Sequence, residues 1–275
     1  MVTIFLSDLD GTLLNSSGKV SDISAEMLNM AVNDGKLFSV ATARSYDTAA
    51  TLLKAVNVNA PAVLLNGALI CDLKSGEIYN YSALDSAVAE RIFSIFREQG
   101  REPFCYFLKN NSSAKSVTLE YISPATRFDI EFIKECETIG SSIEKVSKFN
   151  FENQALYFTA MDTENIIMPI CRRIKELPNC EYTIYSDTYH EGYYFLDIFA
   201  SCTSKSKGVI TAKEISGAQK LIAFGDNIND ISMLDAADWA VAVSNAVSEA
   251  KEICDEIIGS NSEDAVAKYI YHFIA

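Results

Sequence analysis

Apolar residues fall into short continuous runs separated by stretches of helical spacing at both ends of the chain, but not in its middle. Residues 3–9 form a nearly unbroken apolar run, as in a parallel strand buried on both faces. Turn chemistry follows at Asn15-Ser16-Ser17-Gly18-Lys19. A helix is then expected, with Ile23, Met27, Met30 and Ala31 at helical spacing, Ser21 or Ser24 as its cap and Gly35 as its stop. Residues 37–41 read as a second buried strand, 46–56 as a second helix, and 62–65 as a third strand ending in the turn Asn66-Gly67.

The same rhythm returns later. Helices are expected over 206–216, 228–236 and 246–256, and strands over 221–224 and 239–243. An amphipathic helix closes the chain from about 263 to 273. Strands separated by helices imply an α/β fold, a doubly wound parallel sheet with right-handed crossovers.

Between these segments the pattern differs. More highly charged helices over 86–99, 130–137 and 164–176 alternate with aromatic-rich strand candidates over 104–108 and 155–161. The expectation is an α+β domain at 83–189, inserted between the two halves, 1–82 and 190–275, of one α/β core. A length of 275 residues, more than one compact core usually holds, agrees with two domains.

Composition narrows the functional classes. The formal net charge of −14 argues against nucleic acid and anionic membrane as partners, since both are bound mainly through excess Lys and Arg. The N-terminus has no basic start, and no apolar run approaches the roughly 20 residues of a membrane span. Seven cysteines, an odd number without a C-x-x-C pair, read as reduced thiols. The expectation is a cytoplasmic protein. The acidity also sets a condition: any phosphate site here must be made locally positive by a metal ion, a lysine or helix N-termini.

Four short segments carry chemistry. Asp8-Leu9-Asp10-Gly11-Thr12 directly follows the first buried strand, and ligands of open α/β sheets bind beyond the C-terminal ends of strands. Two acids so placed can divide labour, one attacking phosphorus while the other protonates the leaving oxygen and then activates water. Two like charges so close call for a hard cation such as Mg2+. Gly225-Asp226-Asn227-Ile228-Asn229-Asp230 repeats the arrangement at another strand tip. Ala41-Thr42-Ala43-Arg44-Ser45 offers a hydroxyl and a helix N-terminus to a phosphate. Ser204-Lys205-Ser206-Lys207-Gly208 offers an ammonium. Each has a plain alternative: a polar turn, helix caps, or solvated surface lysines.

In this order, the four segments resemble the haloacid dehalogenase superfamily of phosphotransferases, and more narrowly its Cof-type subclass (type IIB). Asn66-Gly67-Ala68 and Ser244-Asn245-Ala246 add to the likeness. The resemblance covers most of the two flanking segments, and it implies a magnesium-dependent phosphatase acting on a small phosphate ester. It makes Asp8 the nucleophile and a metal ligand. Asp10 becomes the general acid/base, its carbonyl also on the metal. Asp226 becomes the distal metal ligand, with Asn227 contributing. Phosphate contacts are implied for Leu9, Thr42, Ala43, Lys207 and Asn229, with Arg44 and Asn66 near the substrate. Asp230 would orient Lys207 or a metal-bound water rather than bind the metal directly. The inserted domain would be the family's cap.

There are departures. Ala43 stands where the family often has Gly, and Val243-Ser244 where it often has Met-Gly. Lys205 competes with Lys207 for the phosphate role; Lys207 is preferred because Gly208 follows it and a helix is expected to start there. Two other readings are a phosphomutase-like phosphotransferase on the same scaffold and a non-enzymatic ligand-binding protein. The second predicts a broken motif, whereas Asp8, Asp10, Lys207 and Asp226 are all present.

Overall fold

The computed structural model describes residues 1–110, 115–186 and 192–274. The chain forms two compact units, Met1–Asn80 with Ser204–Ala275, and Tyr81–Thr203. The expected return from the insert at residue 190 lies outside the described residues, and the second unit continues past it to Thr203.

In chain order, the N-terminal segment consists of β1 (Thr3–Ser7), α1 (Asp22–Asn33), β2 (Leu37–Val40), α2 (Tyr46–Leu52), β3 (Ala62–Leu64), β4 (Leu69–Cys71) and β5 (Ile78–Tyr81). The second unit continues with α3 (Ser86–Glu98), β6 (Phe104–Asn110), β7 (Lys115–Tyr121), α4 (Arg127–Thr138), β8 (Ile143–Lys145), β9 (Gln154–Thr163), α5 (Glu164–Ile174), β10 (Cys180–Ser186) and β11 (Tyr193–Ala200). The last segment returns with α6 (Lys205–Ile215), β12 (Lys220–Gly225), α7 (Ile231–Asp235), β13 (Trp239–Val243), α8 (Ser248–Ile253), β14 (Glu256–Ile258) and α9 (Ala265–His272).

The first unit is built on a five-stranded parallel sheet in the order β14-β13-β12-β1-β2. All five residues of β1 are buried, as its apolar run requires. Three expectations shift. The buried face of α1 is Ser24, Ala25, Leu28 and Ala31, while Ile23 and Met30 are exposed. The small face turns inward because Ser24 Oγ donates to Asp264 Oδ1 (2.9 Å) at the N-cap of α9. The helix expected over 246–256 stops early. Asp255 donates its N–H to the Ala240 carbonyl (2.9 Å) and accepts from the Ala240 N–H (2.8 Å), drawing the chain into β14. The third strand, β3, pairs antiparallel with β4 and meets the parallel sheet through the bridge Ala41–Val63.

The second unit is an α+β layer pair. Its six-stranded sheet runs β10-β11-β9-β6-β7-β8, antiparallel except between β7 and β8. The apolar stripes of α3 (Ala89, Ile92, Ile95, Phe96) and α5 (Ile167, Ile170, Cys171, Ile174) bury against Phe107, Phe158, Leu196 and Ile198 of that sheet. Among the described residues no helix is long and apolar enough to cross a membrane.

Candidate active site

The register of the parallel sheet brings distant acids together. β1 lies between β12 and β2, with Ser7 opposite both Phe224 and Val40. Asp8, the first residue beyond β1, donates its N–H to the Phe224 carbonyl (2.9 Å). Asp226 and Thr42 leave the neighbouring strands at the same sheet edge. Asp8 and Thr42 are buried, and Asp226 is half-buried.

A lysine sits among these acids. Lys205 Nζ donates to Asp8 Oδ1 (2.6 Å) and to Asp230 Oδ1 (2.7 Å), and its side chain is only 2% exposed. The other oxygen of Asp230 accepts the backbone N–H groups of Asp226 (3.0 Å) and Asn227 (3.1 Å). Asp230 therefore aims Lys205 and closes the turn after β12. That turn back is why the expected helix over 228–236 begins as a separate three-residue 3₁₀ turn, Ile228–Asp230, before α7.

Oxygens of Asp8, Asp226 and Asp230 all lie within 4.8 Å of one another. The electrostatics follow from this crowding. Burial, then the Asp230 charge, pushes the Asp8 carboxyl well above its ordinary range, with Lys205 opposing and Asp226 adding to the rise. Asp226 is pushed up to about 6, first by burial; the hydrogen bond from Thr12 opposes this and the charge of Asp230 reinforces it. Burial works against the charge of Lys205, but Asp230 and Asp8 outweigh it and hold the ammonium above its ordinary range. One ammonium among three carboxylates leaves an excess of negative charge. Hard oxygen donors with uncompensated charge fit a divalent cation. Because Asp230 spends both oxygens on protein donors, Asp8 and Asp226 are the carboxylates suited to hold one.

The loop after Asp8 is fixed from several sides. Thr12 Oγ1 donates to Asp226 Oδ1 (2.7 Å), Asn245 Nδ2 donates to the Gly11 carbonyl (2.8 Å), and Leu14 donates its N–H to the Leu9 carbonyl (2.8 Å). Gly11 has φ +80°, and a Cβ there would collide with the Asp226 carboxylate, so only glycine serves. Asp10 lies on the exposed side of this loop, gripped by Arg44 through Nε–Oδ2 (2.7 Å) and Nη2–Oδ1 (2.8 Å).

Several expected site residues are placed differently. Lys207 is exposed, and its position in the site is taken by Lys205. Ser204 caps α6 by accepting the Lys207 N–H (3.1 Å), which makes Lys205 the first helical residue. The buried stripe is then Lys205, Gly208, Val209 and Ala212, at i, i+3, i+4 and i+7, with Lys207 outside it. That spacing was available in the sequence and would have selected Lys205. Gly67 (φ +99°) allows the close approach, since a Cβ there would strike the Ser204 carbonyl oxygen. Asn227, expected near a metal, is exposed, and its side chain accepts the Ile228 N–H (2.8 Å), capping its own turn. Asn229 is exposed. Arg44 meets Asp10 through Nε and Nη2. Leu9 and Asn66 are buried and Ala43 is half-buried. Thr12 and Asn245, which fix the loop, went unassigned in the sequence.

Known proteins resemble this chain along nearly its whole length. The sequence profile of haloacid dehalogenase-like hydrolases matches residues 5–270. Phosphatase YwpJ of Bacillus subtilis is 26% identical over 284 residues, covering 97% of this chain and 98% of that one. Pyridoxal phosphate phosphatase YbhA of Escherichia coli is 23% identical, with 96% of each chain covered. Among solved structures, a haloacid dehalogenase-like hydrolase from Bacteroides thetaiotaomicron superposes with a TM-score of 0.78 at 21% identity, over 98% of both chains.

Proposed function

Because the chain belongs to the family of haloacid dehalogenase-like hydrolases, we propose that it is a Mg2+-dependent phosphatase acting on a small phosphorylated metabolite by way of an aspartyl-phosphate on Asp8. The observation that carries this reading is the buried Lys205 ammonium on Asp8, set among the oxygens of Asp226 and Asp230 at one sheet edge.

The residues divide the reaction as follows. The Asp8 carboxylate forms a bond to phosphorus while the ester P–O bond breaks, and Asp10 gives its proton to the departing oxygen. In the second half Asp10 takes a proton from water, whose oxygen attacks phosphorus and releases inorganic phosphate and the Asp8 carboxylate. Lys205 opposes the rise in the Asp8 pKa, favouring the carboxylate that attacks, and faces the charge of the phosphoryl oxygens. Thr12 holds Asp226, and Asp230 holds Lys205, so neither needs to reorganise as charge moves. Mg2+, held by Asp8 and Asp226, would neutralise the mutual repulsion of these carboxylates and of the incoming phosphate.

Sugar phosphates and pyridoxal phosphate are the first substrates to try, the latter because a relative carries that name. The test is phosphate release from such esters with Mg2+ present. Asp8→Asn should abolish it, and chelation should silence the wild type until Mg2+ is returned. Undiminished release by Asp8→Asn would overturn the reading.

A further inference from the structure

We propose that Arg44 is a positioning residue for the acid/base step, holding the Asp10 carboxylate in place rather than binding the phosphate; this rests on the phosphatase reading of the same site. The guanidinium meets Asp10 in a two-bond fork, Nε to Oδ2 (2.7 Å) and Nη2 to Oδ1 (2.8 Å). An exposed ion pair of this kind contributes little to stability. Its worth must lie in geometry if it has one, and both partners have anchored backbones. The Arg44 N–H donates to Thr42 Oγ1 (3.2 Å), and its carbonyl accepts the Leu65 N–H (3.1 Å). On the other side, Thr12, Asn245 and Leu14 fix the loop that carries Asp10.

Asp10 itself has the freedom that needs restraint. Its side chain is 54% exposed, and it stands on a loop whose next residue is a left-handed glycine. A proton donor must be held within hydrogen-bond reach of the leaving oxygen, and loose placement costs rate without costing fold. The planar fork of arginine fixes both carboxylate oxygens at once, as a lysine ammonium cannot. The Arg44 grip therefore passes the rigidity of the chain beyond β2 to the most exposed acid of the site.

The test uses leaving-group demand. An alkyl phosphate such as glycerol 2-phosphate needs its leaving oxygen protonated, whereas p-nitrophenyl phosphate barely does. Impaired acid placement should lower the ratio of kcat/KM for the alkyl ester to that for the aryl ester. Asp10→Asn sets the full effect, and Arg44→Gln is expected to lower the same ratio by about tenfold. Arg44→Lys should resemble Arg44→Gln, since charge is kept and the fork is lost. The double variant should fall no further in ratio than Asp10→Asn alone.

An unchanged ratio in Arg44→Gln, with both esters slowed alike through KM, would assign Arg44 to phosphate binding and overturn the proposal. So would wild-type behaviour of Arg44→Lys, or an additive double variant. Thermal melts of the variants within a few degrees of wild type separate these results from misfolding. Failure of the phosphatase reading shows itself separately, as turnover that survives Asp8→Asn.

Discussion

Arg101 in the second unit and Lys205 in the first are both buried cations facing more than one carboxylate, yet their surroundings are opposite in kind. Arg101 reaches Asp162 through Nε (2.8 Å) and Asp129 through Nη1 and Nη2 (2.9 and 2.7 Å), and it donates to the carbonyls of Glu102 (3.2 Å) and Met161 (3.0 Å). Its acids are tied to the backbone in turn: Asp129 accepts the Ala125 and Thr126 N–H groups, and Asp162 accepts that of Thr163. Every charge there meets a fixed partner. Around Lys205 three carboxylates share one cation, against two around Arg101, and Asp8 and Asp226 are pushed toward protonation. The first cluster is complete as it stands and serves the fold. The second has unmet negative charge at a sheet edge, which a cation would neutralise.

The largest effect expected of this contrast is on stability. Arg101→Met removes one partner of a buried network and strands two carboxylates, at a cost of about 3–5 kcal/mol. Denaturant unfolding followed in the second unit checks it; a loss below about 1 kcal/mol would show that the network is not the lock described. Lys205→Met is expected to act first on chemistry, lowering kcat/KM for phosphate esters by about 10²–10³-fold, as removal of one preorganised charge partner does. Steady-state rates decide it. Activity within a few-fold of wild type would place the two cations in one class.

How much of this was legible in the chain follows from the range of the interactions. The tips of β1 and β12 could be read because each is an apolar run ending in acids, a local signal. That Asp8 and Asp226 share one edge followed from topology. Thr12–Asp226 and Asn245–Gly11 span 214 and 234 residues, and no local pattern announces them. The choice between Lys205 and Lys207 turned on where α6 begins, which Ser204 decides by capping it. β10 and β11 were missed because half-buried tyrosines such as Tyr182 and Tyr194 blur the alternation that marks a strand.

A smaller effect sharpens the same comparison through pH. The Asp226 carboxyl rises from 3.8 to about 6 on folding, chiefly through burial. A carboxyl whose folded pKa exceeds its unfolded one is protonated more readily in the native state. Stability is therefore lost as pH rises from about 4 to about 6, and the loss persists above that window. Asp8 is displaced in the same direction. In chelator, the wild type is thus expected to lose stability relative to Asp226→Asn across this window, by on the order of 3 kcal/mol at pH 7. Mg2+ should recover the wild type but not the variant. The difference between the two unfolding profiles isolates the site, and profiles that run parallel from pH 4 to pH 7 would remove the claim of unmet charge.

The smallest expected effect is none at all, at Lys207. Its side chain is exposed, and what the fold takes from it is a backbone N–H donated to Ser204 Oγ, which alanine supplies equally well. Lys207→Ala should change stability by no more than about 0.5 kcal/mol and leave phosphate-ester turnover within about twofold of wild type. Set beside Lys205→Met, this pair of variants asks whether burial in the stripe of α6, rather than mere presence of a lysine at the helix start, supplies the charge. A tenfold loss in Lys207→Ala would mean that its ammonium reaches the phosphate during turnover, and the assignment of the buried cation's task to Lys205 alone would no longer stand.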